Sequence, residues 1–92
     1  MNRTEILSTA NEYITKDRAA THGDAEDNFA QIAAVWTWWL NERLSEPLNA
    51  YDVAQMMSLF KKARAKGNKH HIDNFVDDAS YSALAGEIAN KD

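Results

Sequence analysis

Cysteine is absent from these 92 residues. That removes disulfides, thiolate catalysis and cysteine-based zinc sites together, so any metal has to sit on oxygen or imidazole. Proline occurs once and glycine three times, too few of either for a turn-rich β architecture. No run approaches the roughly 20 apolar residues of a membrane span, and the opening Met1-Asn2-Arg3-Thr4-Glu5 lacks the apolar stretch of a secretory signal. A cytoplasmic protein without membrane contact is therefore expected. Basic side chains are in the minority, 10 Lys and Arg against 14 Asp and Glu for a net charge of -4. This disfavours nucleic-acid binding, which needs a basic surface to displace counterions from phosphates.

What is present points to helices around one core. A chain of 92 residues can enclose a single domain, residues 1–92, and a hydrophobic content of 45% with nine aromatic rings can fill it. At about 100° per residue, Ile6, Leu7, Ala10, Tyr13 and Ile14 share a face, with Thr4 available as a cap and the helix running to about Asp17 or Arg18. The tetrapeptide Thr21-His22-Gly23-Asp24 breaks the pattern and offers Asp24 as the next cap. A second helix then carries the stripe Phe29, Ile32, Val35, Trp36, Trp39 and Leu40 toward Leu44, ending at Pro47. Asn49 caps a third, with Asp52 in its first turn and an apolar face of Val53, Met56, Met57, Leu59, Phe60 and Ala63. Gly67 and Asn68 close it, and a fourth helix starting near Asp73 carries Tyr81, Leu84 and Ile88. Connections of roughly four to eight residues favour antiparallel neighbours, hence an all-α, up-down-up-down bundle of about four helices.

That topology gathers polar residues at one end: Asp17, Arg18, His22, Asp24, Asp27, Asn28, Lys61, Arg64, His70, His71, Asp73, Asn74, Asp77 and Asp78. The wheel that turns Tyr81, Leu84 and Ile88 inward also turns Asp73 and Asp77 inward, and Asp17 extends the stripe of its own helix. Buried carboxylates need a compensating partner. In one reading they are structural, with Asp73 capping its helix, Asp77 paired with Arg64 or Lys61, and Asp17 paired with Arg18 or a backbone amide. In the other, Asp17, Asp73 and Asp77 hold Mg²⁺ or Mn²⁺, while Arg64, Lys61 and Arg18 contact the phosphates of a nucleotide. Asp24, Asn28, Asn74, His71 and Tyr81 would complete that polar site. A zinc site on His22, His70 and His71 is the weaker pattern, since adjacent rings chelate one ion poorly.

Trp38 lies opposite the inward stripe of its helix, and Phe75, Ala79, Ala83 and Gly86 form a second face opposite Tyr81 and Leu84. A lone bundle would leave these surfaces exposed. Self-association, as a dimer with Trp38, Phe75 and Ala79 at its interface, is the expected remedy; a different protein partner is the alternative.

The run Lys16-Asp17-Arg18, His22-Gly23-Asp24 and Asn28-Phe29, then Asp52-Val53, Met56-Met57, Lys61 and Arg64, then His71-Ile72-Asp73-Asn74, Asp77 and Tyr81, resembles a family of short bacteriophage and prophage proteins without assigned function. Those are in turn similar, distantly, to the MazG-type all-α nucleoside triphosphate pyrophosphohydrolases. The second resemblance implies a homo-oligomeric helical fold that uses Mg²⁺ to direct water at a nucleotide, and a host-cytoplasmic location for a phage-encoded chain. The MazG-type pattern sets Glu-x-x-Glu on one helix against Glu-x-x-Asp on the next. Here Asn74-x-x-Asp77, with Asp73 beside it, matches the second, whereas the part of helix 3 facing Asp77 carries Ser58, Lys61 and Lys62 and no carboxylate. The competing expectation is a non-catalytic phage protein that binds a host or phage macromolecule through its acidic surface and the Trp38 face.

Overall fold

The computed structural model describes residues 1–17 and 24–91, the Asp17 side chain excepted. All regular structure among them is helical. Helix α1 spans Arg3–Glu12 and continues into a π-helical turn, Tyr13–Asp17; α2 spans Ala25–Leu40 and ends in a 3₁₀ turn, Asn41–Arg43; α3 spans Ala50–Gly67 and α4 Ile72–Ala89. The four expected helices are present, with small changes at their ends.

Capping explains most of these boundaries. Asn49 and Asp52 form a reciprocal capping box, each backbone N–H donating to the other's side chain at 3.0 and 2.9 Å. Helix α1 is capped in the same way by Asn2 and Glu5 rather than by Thr4. A Glu three residues after Asn2 completes the box; Thr4 has no such partner. Asp24 precedes α2 in extended conformation without a side-chain cap bond, and His71 holds the equivalent place before α4. Helix α2 stops four residues short of Leu44, because Asn41 takes a φ of 45° with a ψ of -114°, a positive-φ conformation that a helix cannot continue through. The chain then turns back along α2, where the Leu48 N–H donates to Thr37 Oγ1 at 2.9 Å.

Helices α3 and α4 form the main antiparallel hairpin; α2 lies on α3 and only brushes α4, while α1 leans on α4 and makes no close backbone approach to α2 or α3. Phe29 and Ala33 of α2 bury themselves with Val53, Ala54, Leu84 and Ala85, and Ala25, Trp36, Tyr81 and Ile88 pack around them. The first turn of α2 therefore sits at the finish of α4, where Lys91 pairs with Glu26 at 3.1 Å. This corrects the up-down-up-down expectation, in which α2 would begin beside the start of α4. The apolar match of Phe29 and Ala33 to the lower half of the hairpin decides the placement.

Two wheel assignments are also corrected. On α3 the inward face is Val53, Ala54, Met57, Ser58, Lys61 and Ala65, while Met56, Leu59, Phe60 and Ala63 are exposed. On α2, Val35 and Trp39 are exposed, and the inward stripe is Phe29, Ala33, Trp36 and Leu40. The reason lies in the α3–α4 seam. Ala54, Ser58 and Ala85 are small and let the helices approach closely, and that seam carries Ser58 and Lys61 where the wheel placed apolar groups.

Candidate functional site

Two rows of side chains cross the seam. Lys61 Nζ meets Asp77 Oδ2 at 2.8 Å, with the two side chains 15% and 28% exposed. One residue further round, Lys62 Nζ holds both Asp78 oxygens at 2.7 and 2.8 Å and donates to Ser58 Oγ at 3.0 Å. The buried Ser58 hydroxyl also donates to Asp78 Oδ1 and lies 3.2 Å from Ser82 Oγ. The spacing produces this ladder: Ser58 and Lys62 are one turn apart on α3, Asp78 and Ser82 one turn apart on α4, and antiparallel packing brings the two pairs together.

The other expected site residues are dispersed. The wheel turned Asp73 inward, but it is 64% exposed; the side chain that the first turn of α4 buries is its neighbour Asn74. His71 Nε2 stands 3.9 Å from the Asp73 carboxylate, also exposed. Arg64 is exposed and stacks over Phe60 at 5.3 Å. Asp24 is exposed and Asn28 half-buried near the start of α2, at the far end of the molecule from Asp73. The stretch of α4 from Asp73 to Ala89 is about 24 Å long at 1.5 Å per residue. Tyr81 is half-buried with its ring 6.1 Å from Phe29, and Ala79 is half-buried. Arg18, His22 and the Asp17 side chain lie outside the described residues.

Mg²⁺ needs several oxygen ligands free to bind it. Asp77 and Asp78 are instead closed by lysine ammonium groups, and among the described residues no three His, Asp or Glu side chains gather as a cation site. The sequence reading placed Asp78 at the polar end and Ser58 on the part of α3 facing Asp77 without pairing them, and it missed Ser82; the matched four-residue spacing on the two facing helices was the signal for the ladder.

The second concentration of unusual side chains is apolar. Trp38 and Trp39 are 74% and 72% exposed, with rings 6.3 Å apart and tilted. Trp39 and Met56 share an open cleft of about 250 Å³ with Trp36 and Leu40, which joins the exposed edge of α2 to that of α3. Phe60 continues the strip one turn past Met56, and Val35 extends it one turn before Trp39; both are exposed. Phe75, also partly exposed at 39%, belongs to α4.

Comparison with known proteins gives a family and no activity. Residues 5–89 match the family described as domain of unknown function (DUF6378), and the chain belongs to it. The Gene 55 protein of Mycobacterium phage D29 is 35% identical over 83 residues, covering 90% of this chain and 52% of that protein. The Gene 55 protein of Mycobacterium phage L5 is 39% identical over 79 residues, covering 86% and 49%. The chain thus spans about half the length of these curated relatives. No solved structure matches it. Among the described residues no helix is long and apolar enough to cross a membrane.

Proposed function

We propose that this member of a family with phage relatives and no assigned function acts by association, holding a polypeptide against the strip formed by Val35, Trp38 and Trp39 of α2 with Met56 and Phe60 of α3. The observation that carries this is the exposure of both adjacent indoles. Apolar surface left in water costs about 25 cal/mol per Å², and large contiguous patches on soluble chains mark interaction surfaces. Tryptophan is also the side chain most enriched among residues that dominate binding energy. A photo-crosslinking amino acid placed at Trp38 or Met56 should trap a polypeptide in cells, and one placed at Lys66 should not. Equal trapping at all three positions, or none, would defeat the proposal.

The rival is Mg²⁺-dependent, MazG-like pyrophosphohydrolysis of a nucleoside triphosphate. Its support is that Asn74 and Asp77 lie three residues apart on α4, Asn74 buried and Asp77 half-buried. It needs Asp77 to leave Lys61 and take a metal. A ligand at a hundred times its dissociation constant stabilises the native state by about 2.7 kcal/mol. Melting with Mg²⁺, Mn²⁺ and the common nucleoside triphosphates is expected to leave Tm within about 1 °C. A rise of several degrees that Asp77→Asn abolishes would replace the association reading with this one.

A further inference from the structure

We propose, building on the association reading, that the polypeptide covering the tryptophan strip is a second copy of this chain, related to the first by a two-fold axis. Extent is the first argument. At about 250 Å² for a whole indole side chain, the two tryptophans present about 350 Å², and Val35, Met56 and Phe60, with exposed Leu59 three residues past Met56 on α3, bring the strip to roughly 700–800 Å². That exceeds the largest apolar patch of an ordinary monomer, about 300–600 Å². It equals one partner's share of a standard stable interface, about 800 Å².

Self-complementarity is the second argument. A two-fold interface needs a surface that fits itself, with each half of the patch facing the other half on the partner. The strip has two such halves. One is the rigid pair Trp38 and Trp39; the other is the adaptable row Met56 and Phe60, whose thioether and ring suit packing against indole. Their outer ends carry opposite charges. Exposed Glu42 lies in the 3₁₀ turn that directly follows the tryptophan end of α2, and exposed Arg64, 5.3 Å from the Phe60 ring, lies one turn past Phe60 on α3. Laying the indoles of one copy over Met56 and Phe60 of the other brings Glu42 toward Arg64 twice, once on each side of the axis. Charge pairs at the rim fix the register of such a contact.

Sedimentation equilibrium of the purified chain over a concentration series tests this. A dimer is expected, with Trp38→Ala raising its dissociation constant at least tenfold. Glu42→Arg and Arg64→Glu should each weaken it, and the two together should restore it, an outcome that misfolding of either variant could not produce. A chain that stays monomeric at hundreds of micromolar overturns the second copy. If crosslinks from Trp38 to another polypeptide persist in that case, the association reading survives; if they too are absent, both fall.

Discussion

Asp78 is the residue with most at stake in the seam. Its carboxylate accepts from the buried Ser58 hydroxyl and from Lys62, so removing it takes away the hydroxyl's charged acceptor and leaves it the longer, 3.2 Å contact with Ser82 Oγ. Asp78→Ala should cost about 1.5–3 kcal/mol, the usual worth of a hydrogen bond to a charged group. Lys62→Ala should cost under about 1 kcal/mol, because the Lys62 side chain is more than half exposed and exposed ion pairs contribute little. Urea unfolding of the two variants and their double mutant gives the coupling directly. Equal losses for the two single variants would show that the lysine, and not the hydroxyl, is what the carboxylate serves. Lys91 makes a different kind of contact. Its hydrogen bond to Glu26, and then the Glu26 charge, raise its pKa above the ordinary lysine value. A raised pKa means that the folded state holds the proton more tightly, so the stabilisation is complete below the unfolded pKa and is lost as pH rises through the folded one. Because Lys91 is exposed, the effect is small and screened by salt. Lys91→Met should therefore lower Tm slightly at pH 7 in dilute buffer, and the difference should fade as pH rises through and beyond the ordinary lysine range; a difference that persists well beyond it would assign it to packing of the lysine stem.

At the scale of the element, the two capping boxes are alike in chemistry and unlike in consequence. Helix α3 packs against both α2 and α4, while the backbone of α1 approaches only α4 among the other helices. Asn49→Ala should lower global stability by about 1 kcal/mol. Asn2→Ala should chiefly speed amide exchange in the first turns of α1, since a peripheral helix can open on its own. If both changes move the global transition equally, α1 belongs to the cooperative unit. The Asn49 box, the Gly67 and Asn68 stop and the four helices were legible in the sequence, because caps and breakers act over three or four residues. The inward faces of α2 and α3 were not. A wheel assigns the most apolar arc to the core, but α3 spends its inward arc on Ser58 and Lys61 and leaves Leu59 and Phe60 outside. The placement of α2 was illegible for a related reason. Nothing local in Thr21-His22-Gly23-Asp24 says that Phe29 will seat beside Leu84, and with that choice Asp24 and Asn28 move away from Asp73. Against this, the absence of carboxylates on α3 opposite Asp77 was visible from spacing alone, and Lys61 does meet Asp77 there.

For the whole molecule, the tryptophan strip and the size of the chain bear on one measurable quantity. A domain of 92 residues buries little more than about 60% of the surface its unfolded chain exposes and is correspondingly marginal, so covering a further 700–800 Å² per copy should raise stability appreciably. Binding that favours the native state makes Tm depend on concentration. For a dimer that unfolds as it separates, each tenfold rise in protein concentration adds about 1.4 kcal/mol per dimer, half of it per chain, which raises Tm by about 3–5 °C. Melts across two decades of concentration should show this climb for the native chain. For Trp38→Ala the climb should begin only at concentrations at least tenfold higher, and below them Tm should match the native value at high dilution, because Trp38 is 74% exposed and its loss leaves the core of one copy intact. A native Tm that stays flat across the series would mean that the strip is bare in the isolated chain, and that whatever covers it comes from elsewhere.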